Sequence, residues 1–166
     1  MKIKKTNRST AFVFVTILLW IGSFAGAQSL TESELVEGTG LGAIVVGKST
    51  LGDVVQQYGG DYEVIEHLKY SYEYSYPKLG LSFYSCRADS NNEIFVLVTR
   101  KPFQARTAKG IILGKSTKSD VERLYGGGEV RGVEFFYNAK DRVEEIDIFE
   151  DAGITQCDDK FGIVGD

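Results

Sequence analysis

Gly42, Gly47, Lys48 and Ser49 stand at the spacing G-x-x-x-x-G-K-S, that of a loop wrapping the phosphates of a nucleotide. That chemistry needs a strand ahead of the first glycine, free backbone N–H groups between the glycines, and a long helix after the lysine. Residues 43–46 are Ala-Ile-Val-Val, apolar and β-prone, so a strand is predicted inside the would-be loop. Gly-Lys-Ser-Thr recurs at 114–117, with Lys109 where the first glycine would stand. In this context the segment reads as structural, Lys48 and Lys115 read as surface residues, and no nucleotide is expected.

His67 is the one histidine. A Ser-His-Asp or Cys-His relay must use it, yet nothing near it in sequence forms a nucleophile elbow or a papain-type cysteine site. One histidine with no second histidine or close cysteine also makes no transition-metal site. The expectation is no catalytic residue, no metal and no cofactor, with a hydrolase using His67 or the acids as the lesser alternative. Glu144, Glu145, Asp147, Glu150 and Asp151 are interleaved with Val143, Ile146 and Ile148, so most of these acids are expected on the wet face of a strand. No calcium-loop pattern accompanies them.

Tyr70, Tyr72, Tyr74 and Tyr76 alternate with Ser71, Glu73 and Ser75. On a strand, that alternation puts four rings on one face. Each hydroxyl needs a partner in a dry core, and rings with a polar tip suit a half-wet contact surface. The four tyrosines are therefore the candidate partner-binding residues, and packing beneath helices as core is the open alternative. Cys86 and Cys157 are the only cysteines; in an oxidising compartment the pair is expected to be bridged, tying down the C-terminal tail.

The elements that must position these residues follow from the rest of the chain. Lys2, Lys4, Lys5 and Arg8 precede an apolar run at 11–22, and Ala25-Gly26-Ala27 ends it with small residues. This is the pattern of a secretory signal cleaved after Ala27, and it places the mature chain in the periplasm or outside the cell, with no stable membrane anchor. Residues 28–166 hold 15 Lys and Arg against 23 Asp and Glu, a net charge of −8. Such acidity leaves no electrostatic footprint for nucleic acid.

Residues 47–60 and 114–127 are identical at nine of 14 positions, which reads as a duplicated supersecondary unit. Thr50 and Thr117 are candidate helix N-caps, with Asp53 and Asp120 three residues on as in a capping box. Leu51, Val54, Val55 and Tyr58 form one apolar helical stripe, and Gly59 and Gly126 supply helix stops. Strands are predicted at 62–67, 69–76, 81–87 and 94–99, then at 130–133, 134–137 and 143–149. The predicted architecture is α+β: one antiparallel sheet with the helices on one face. Residues 28–43 read as an irregular segment with one helical turn near 32–36, and 44–166 as a single domain of two repeats, 44–110 and 111–166.

Gly-Lys-Ser-Thr, then Asp-Val, then Tyr-Gly, given twice, resembles the short-helix motif of the SmpA/OmlA (BamE-like) envelope proteins. The tandem arrangement is similar to β-lactamase-inhibitor protein. The matching residues are Gly47, Thr50, Val54 and Gly59, with Gly114, Thr117, Val121 and Gly126. The resemblance implies structural roles for these positions and a non-enzymatic protein-binding or scaffold function, using the open face of a sheet against another envelope or secreted protein. A structural envelope component without a specific ligand is the alternative.

Overall fold

The computed structural model describes residues 33–67, 70–128, 130–150 and Cys157. The expected signal peptide lies outside the described residues, as does Asp151. No described helix is long and apolar enough to cross a membrane.

Two sheets and two helices make up the α+β fold. The larger sheet has six antiparallel strands, in the order β4 (Glu63–His67), β5 (Ser71–Tyr76), β6 (Leu81–Cys86), β7 (Ile94–Arg100), β10 (Val143–Phe149) and β9 (Val133–Tyr137). The smaller joins β3 (Ile44–Val45), β2 (Gly40–Leu41), β1 (Ser33–Val36) and β8 (Ala105–Thr107). Its β1–β8 pair is parallel, with Ser33 against Ala105 and Leu35 against Thr107.

This second sheet corrects the expectation of a single sheet and, over the described part 33–43, of an irregular segment. Residues 33–36 are a strand rather than a helical turn, and Leu35 is fully buried. Its partner β8 comes from the stretch between β7 and α2, where no strand is predicted from sequence. Likewise, the break expected between Val133 and Glu134 is absent, because β9 runs through both.

Helices α1 (Leu51–Tyr58) and α2 (Lys118–Tyr125) start at threonine caps. The Asp53 carboxylate accepts from the Thr50 N–H at 2.8 Å, and that of Asp120 accepts from the Thr117 N–H at 2.9 Å. These bonds satisfy backbone donors at the caps and place negative charge at the helix starts. The flanking geometry matches closely. Gly47 and Gly114 take φ of 73° and 75°, and their N–H groups donate to Ile94 O and Val143 O, both at 2.7 Å. A Cβ at either glycine would strike a side chain, Glu150 at the first and Lys101 at the second. Each helix is thereby stapled to the start of a sheet strand.

Both helices pack on the same face of the six-stranded sheet. Val54 and Val121 are buried in one cluster with Tyr74, Tyr76, Phe83, Leu97, Ile146 and Ile148, and the small sheet joins it through Leu35, Leu41, Ile44 and Ala105. A separate cluster of Val96, Val98 and Phe149, with Tyr84 and Phe95 against it, occupies the other face.

Candidate functional site

Cross-strand register fixes which side chains share that other face. One row runs Ile65, Glu73, Tyr84, Val96 and Phe149 across five strands. The next runs Glu63, Ser75, Ser82, Val98, Asp147 and Glu134 across all six. Arg100 lies against Glu145, and Glu145 against Phe136.

These side chains are held by one another. Glu73 is buried and stands at the centre: Ser82 Oγ donates to its Oε1 at 2.7 Å, and His67 Nε2 lies 2.7 Å from its Oε2. Burial disfavours the Glu73 charge, but hydrogen bonds from His67, Ser82 and Tyr84 outweigh it and hold the carboxyl below its ordinary value. The Tyr84 hydroxyl is pushed well above its usual range, first by burial and then by its bond to Glu73. Arg100 Nε donates to Glu145 and closes the far end of the row.

Asp147 is different. Its Oδ1 is buried without a hydrogen-bond partner among the described residues. Burial, then the neighbouring Glu145 charge, pushes its carboxyl up to about 8, with Arg100 pulling the other way and Glu134 adding to the rise. Asp147 thus lies on the face away from the helices, but it is only partly exposed and its Oδ1 is buried.

His67, Glu73 and Ser82 are the residue types of a hydrolase relay, brought together by the fold. Their order is wrong for one. The carboxylate stands between serine and imidazole, so the Ser82 hydroxyl donates to Glu73 and no described imidazole is placed to take its proton. The set can hold a rigid, charged surface in place; it does not activate a nucleophile.

The four candidate tyrosines do not form an open surface. Tyr74 and Tyr76 are 4 % and 2 % exposed and lie in the core beneath α1; Tyr70 and Tyr72 are half-buried. The hydroxyls that made a dry core look costly have partners. Tyr74 bonds to Ser85 Oγ and Asn92 Oδ1, each at 3.1 Å, and Tyr76 donates to Gly59 O at 2.8 Å. Tyr72 carries the Arg87 guanidinium 5.5 Å above its ring. Tyr70 precedes β5 and sits in the turn. As partner-binding residues, Tyr74 and Tyr76 are therefore corrected to core.

The Gly42–Ser49 segment keeps its N–H groups for itself. Val45 N–H donates to Ser49 Oγ, Val46 to Thr39 O, Gly47 to Ile94 O, and both Lys48 and Ser49 to Val45 O. A phosphate cradle needs those donors free. Cys86 and Cys157 are joined in a disulfide with Cα atoms 5.3 Å apart, a bond compatible with an oxidising, extracytoplasmic compartment. Among the described residues no group of three or more His, Cys, Asp and Glu could hold a metal ion.

Arg100, Tyr84 and Ser82 were missed by sequence reasoning. The polar parity of β5 marked Ser71, Glu73 and Ser75, but nothing in sequence tied them to Arg100 on another strand. No protein family, no curated protein and no solved structure matches this chain.

Proposed function

We propose that the chain is an exported, non-enzymatic module that binds a protein partner through the sheet face turned away from its helices. The observation that carries this reading is the fixed polar row from His67 through Glu73, Ser82 and Tyr84 to Arg100 and Glu145, on a face that no described helix covers. Side chains already held in place lose little freedom when a partner docks. Exposed Ile65 and Phe136 flank the row at the two sheet edges and offer apolar anchors. Glu63 and Glu134 are exposed there, while Glu73 is answered by His67 and Glu145 by Arg100, so the charge left open to solvent is acidic and the face suits a partner that presents Lys and Arg.

The matching caps and glycine staples of 47–60 and 114–127 support a duplicated helix–strand unit, the tandem architecture that the resemblance to SmpA/OmlA and β-lactamase-inhibitor proteins implies. In this reading the duplication builds a sheet wide enough to serve as a platform, and the signal segment sends it out of the cytoplasm.

The test is affinity capture from the native extracytoplasmic fraction. The exported protein is compared with Phe136→Asp and Glu134→Lys on the face and with Leu79→Asp in the turn after β5. A partner retained by the wild type and by Leu79→Asp, and lost by both face variants, is the expected result. The reading fails if the face variants retain what the wild type retains, or if the wild type retains nothing.

A further inference from the structure

β4 forms one edge of the six-stranded sheet, and all five of its residues are exposed. It pairs with β5 on one side only, in an unbroken register from Glu63–Ser75 to His67–Ser71. An edge strand with unpaired backbone groups is a template for another strand unless something protects it. The common protections are proline, charged side chains (lysine above all), a bulge or a covering loop, and of these β4 carries only the charges of Glu63 and Glu66. Glu63-Val64-Ile65-Glu66-His67 has no proline and no lysine, the β4–β5 pairing has no bulge, and no described element pairs along its outer side. Val64 and Ile65, at 54 % and 41 % exposure, are also the most exposed large hydrophobic residues among those described.

We propose that this edge is the docking site for a second copy of the same chain, the two β4 strands pairing antiparallel about a two-fold axis at Ile65. Strand composition selects both the partner and the register. Centred on Ile65, the pairing sets Glu63 of each copy opposite His67 of the other, an acid against an imidazole whose Nε2 is already bonded to Glu73 of its own chain. Ile65 meets Ile65 at the centre. Val64 meets Glu66 of the second copy, whose charge is already answered within its own chain by Arg87 at 3.2 Å. Opposite charges and apolar pairs directly across a ladder stabilise it, and like charges do the reverse. Centring on Glu66 would set two carboxylates face to face, and centring on Val64 would set Glu63 against Ile65.

The other sheet edge lacks this complementarity. β9 carries one charged residue, Glu134, and no base, so no register of its self-pairing sets acid against base, and the β9–β10 pairing carries a register shift between Val143 and Glu145. With one self-complementary edge per chain, association closes at a dimer instead of growing into a filament. The contact is a single five-residue strand, so the dimer is weak and concentration-dependent. Its product is one continuous sheet of twelve strands, six from each copy.

Sedimentation equilibrium on the exported protein tests this, with variants Ile65→Lys and Glu63→Lys, each checked for an unchanged circular dichroism spectrum. The wild type should show a monomer–dimer equilibrium. Each variant should raise the dissociation constant at least about tenfold. Phe136→Asp, at the far edge, should leave the dimer intact, which separates this result from the partner-capture test. A monomer at every concentration up to about 1 mM overturns the proposal, as does a dimer indifferent to Ile65→Lys or to Glu63→Lys. A chain that stays monomeric and loses a different protein on Ile65→Lys assigns the edge to that protein and overturns self-pairing.

Discussion

Glu73 and Tyr74 are neighbours on β5, and both are buried, on opposite faces of the same sheet. Tyr74 lies under the first helix with Tyr62 edge-on to its ring at 5.7 Å. Glu73 points the other way, into the bonds from His67 and Ser82. Glu73 is buried among the side chains that bond it, so the polar side of β5 has hydrogen-bond requirements of its own.

Tyr74 should therefore behave as a core residue. Tyr74→Ala is expected to cost about 3–5 kcal/mol, as large aromatic truncations in cores do. Tyr74→Phe keeps the ring and loses only the bonds to Ser85 and Asn92, a cost of about 1 kcal/mol. Chemical denaturation of both variants measures the difference. Near-wild-type stability of Tyr74→Ala would show that the ring is not packed as described.

What was legible in the sequence was local. The Thr50 and Thr117 caps, the Val54 face of α1 and the alternation of β5 each depend on residues within one or two turns of one another. The cysteine pair was legible because there were only two cysteines to join. Residues 33–36 were misread because β1 finds its parallel partner at Ala105–Thr107, far along the chain, and β2 and β3 are two residues long, too short to show a period. Alternation gave the parity of Tyr74 and Glu73 correctly but not which side is wet. The Arg100–Glu145 pair spans 45 residues of sequence, and only the placement of β10 beside β7 brings it together.

The two helix caps should be close to equivalent in energy. Thr117→Ala removes a hydroxyl that accepts from the Asp120 N–H at 3.3 Å and donates to the Asp120 carboxylate at 2.9 Å, and it should cost about 1 kcal/mol. Thr50→Ala should cost about the same, since the Thr50 hydroxyl donates to Asp53 at 3.0 Å. Urea midpoints for the two variants test this. A strong inequality would mean that one helix start is held by its glycine staple instead of its cap.

The disulfide closes a long loop, its cysteines 71 residues apart in sequence. Chain-entropy reasoning puts its contribution near 4 kcal/mol, an upper figure because reduced chains keep some structure. Exported protein treated with an alkylating reagent under denaturing conditions should take up none without reductant and two equivalents with it. Cys86→Ser/Cys157→Ser should fold with a lower denaturation midpoint. Uptake of reagent in the unreduced sample would show the bond to be absent.

Asp147 gives the pH dependence its sign. The unfolded chain releases this proton near the ordinary aspartate value of 3.8, whereas the folded chain keeps it to about 8. Between those values the folded state binds more protons than the unfolded state, so stability falls as pH rises. The contribution is fully present below the unfolded value and is lost as pH passes through the folded one. Above it, a carboxylate with an unpartnered Oδ1 faces Glu145 and Glu134, and Arg100, already paired with Glu145, offsets the repulsion only in part. Asp147→Asn keeps the shape and removes the titration. Denaturation midpoints of the two proteins, measured at pH 5 and pH 9, should differ less at the lower pH and more at the higher, with the variant the more stable. A variant that loses stability equally at both values would show instead that the Asp147 carboxyl is ionised and bonded in the folded chain.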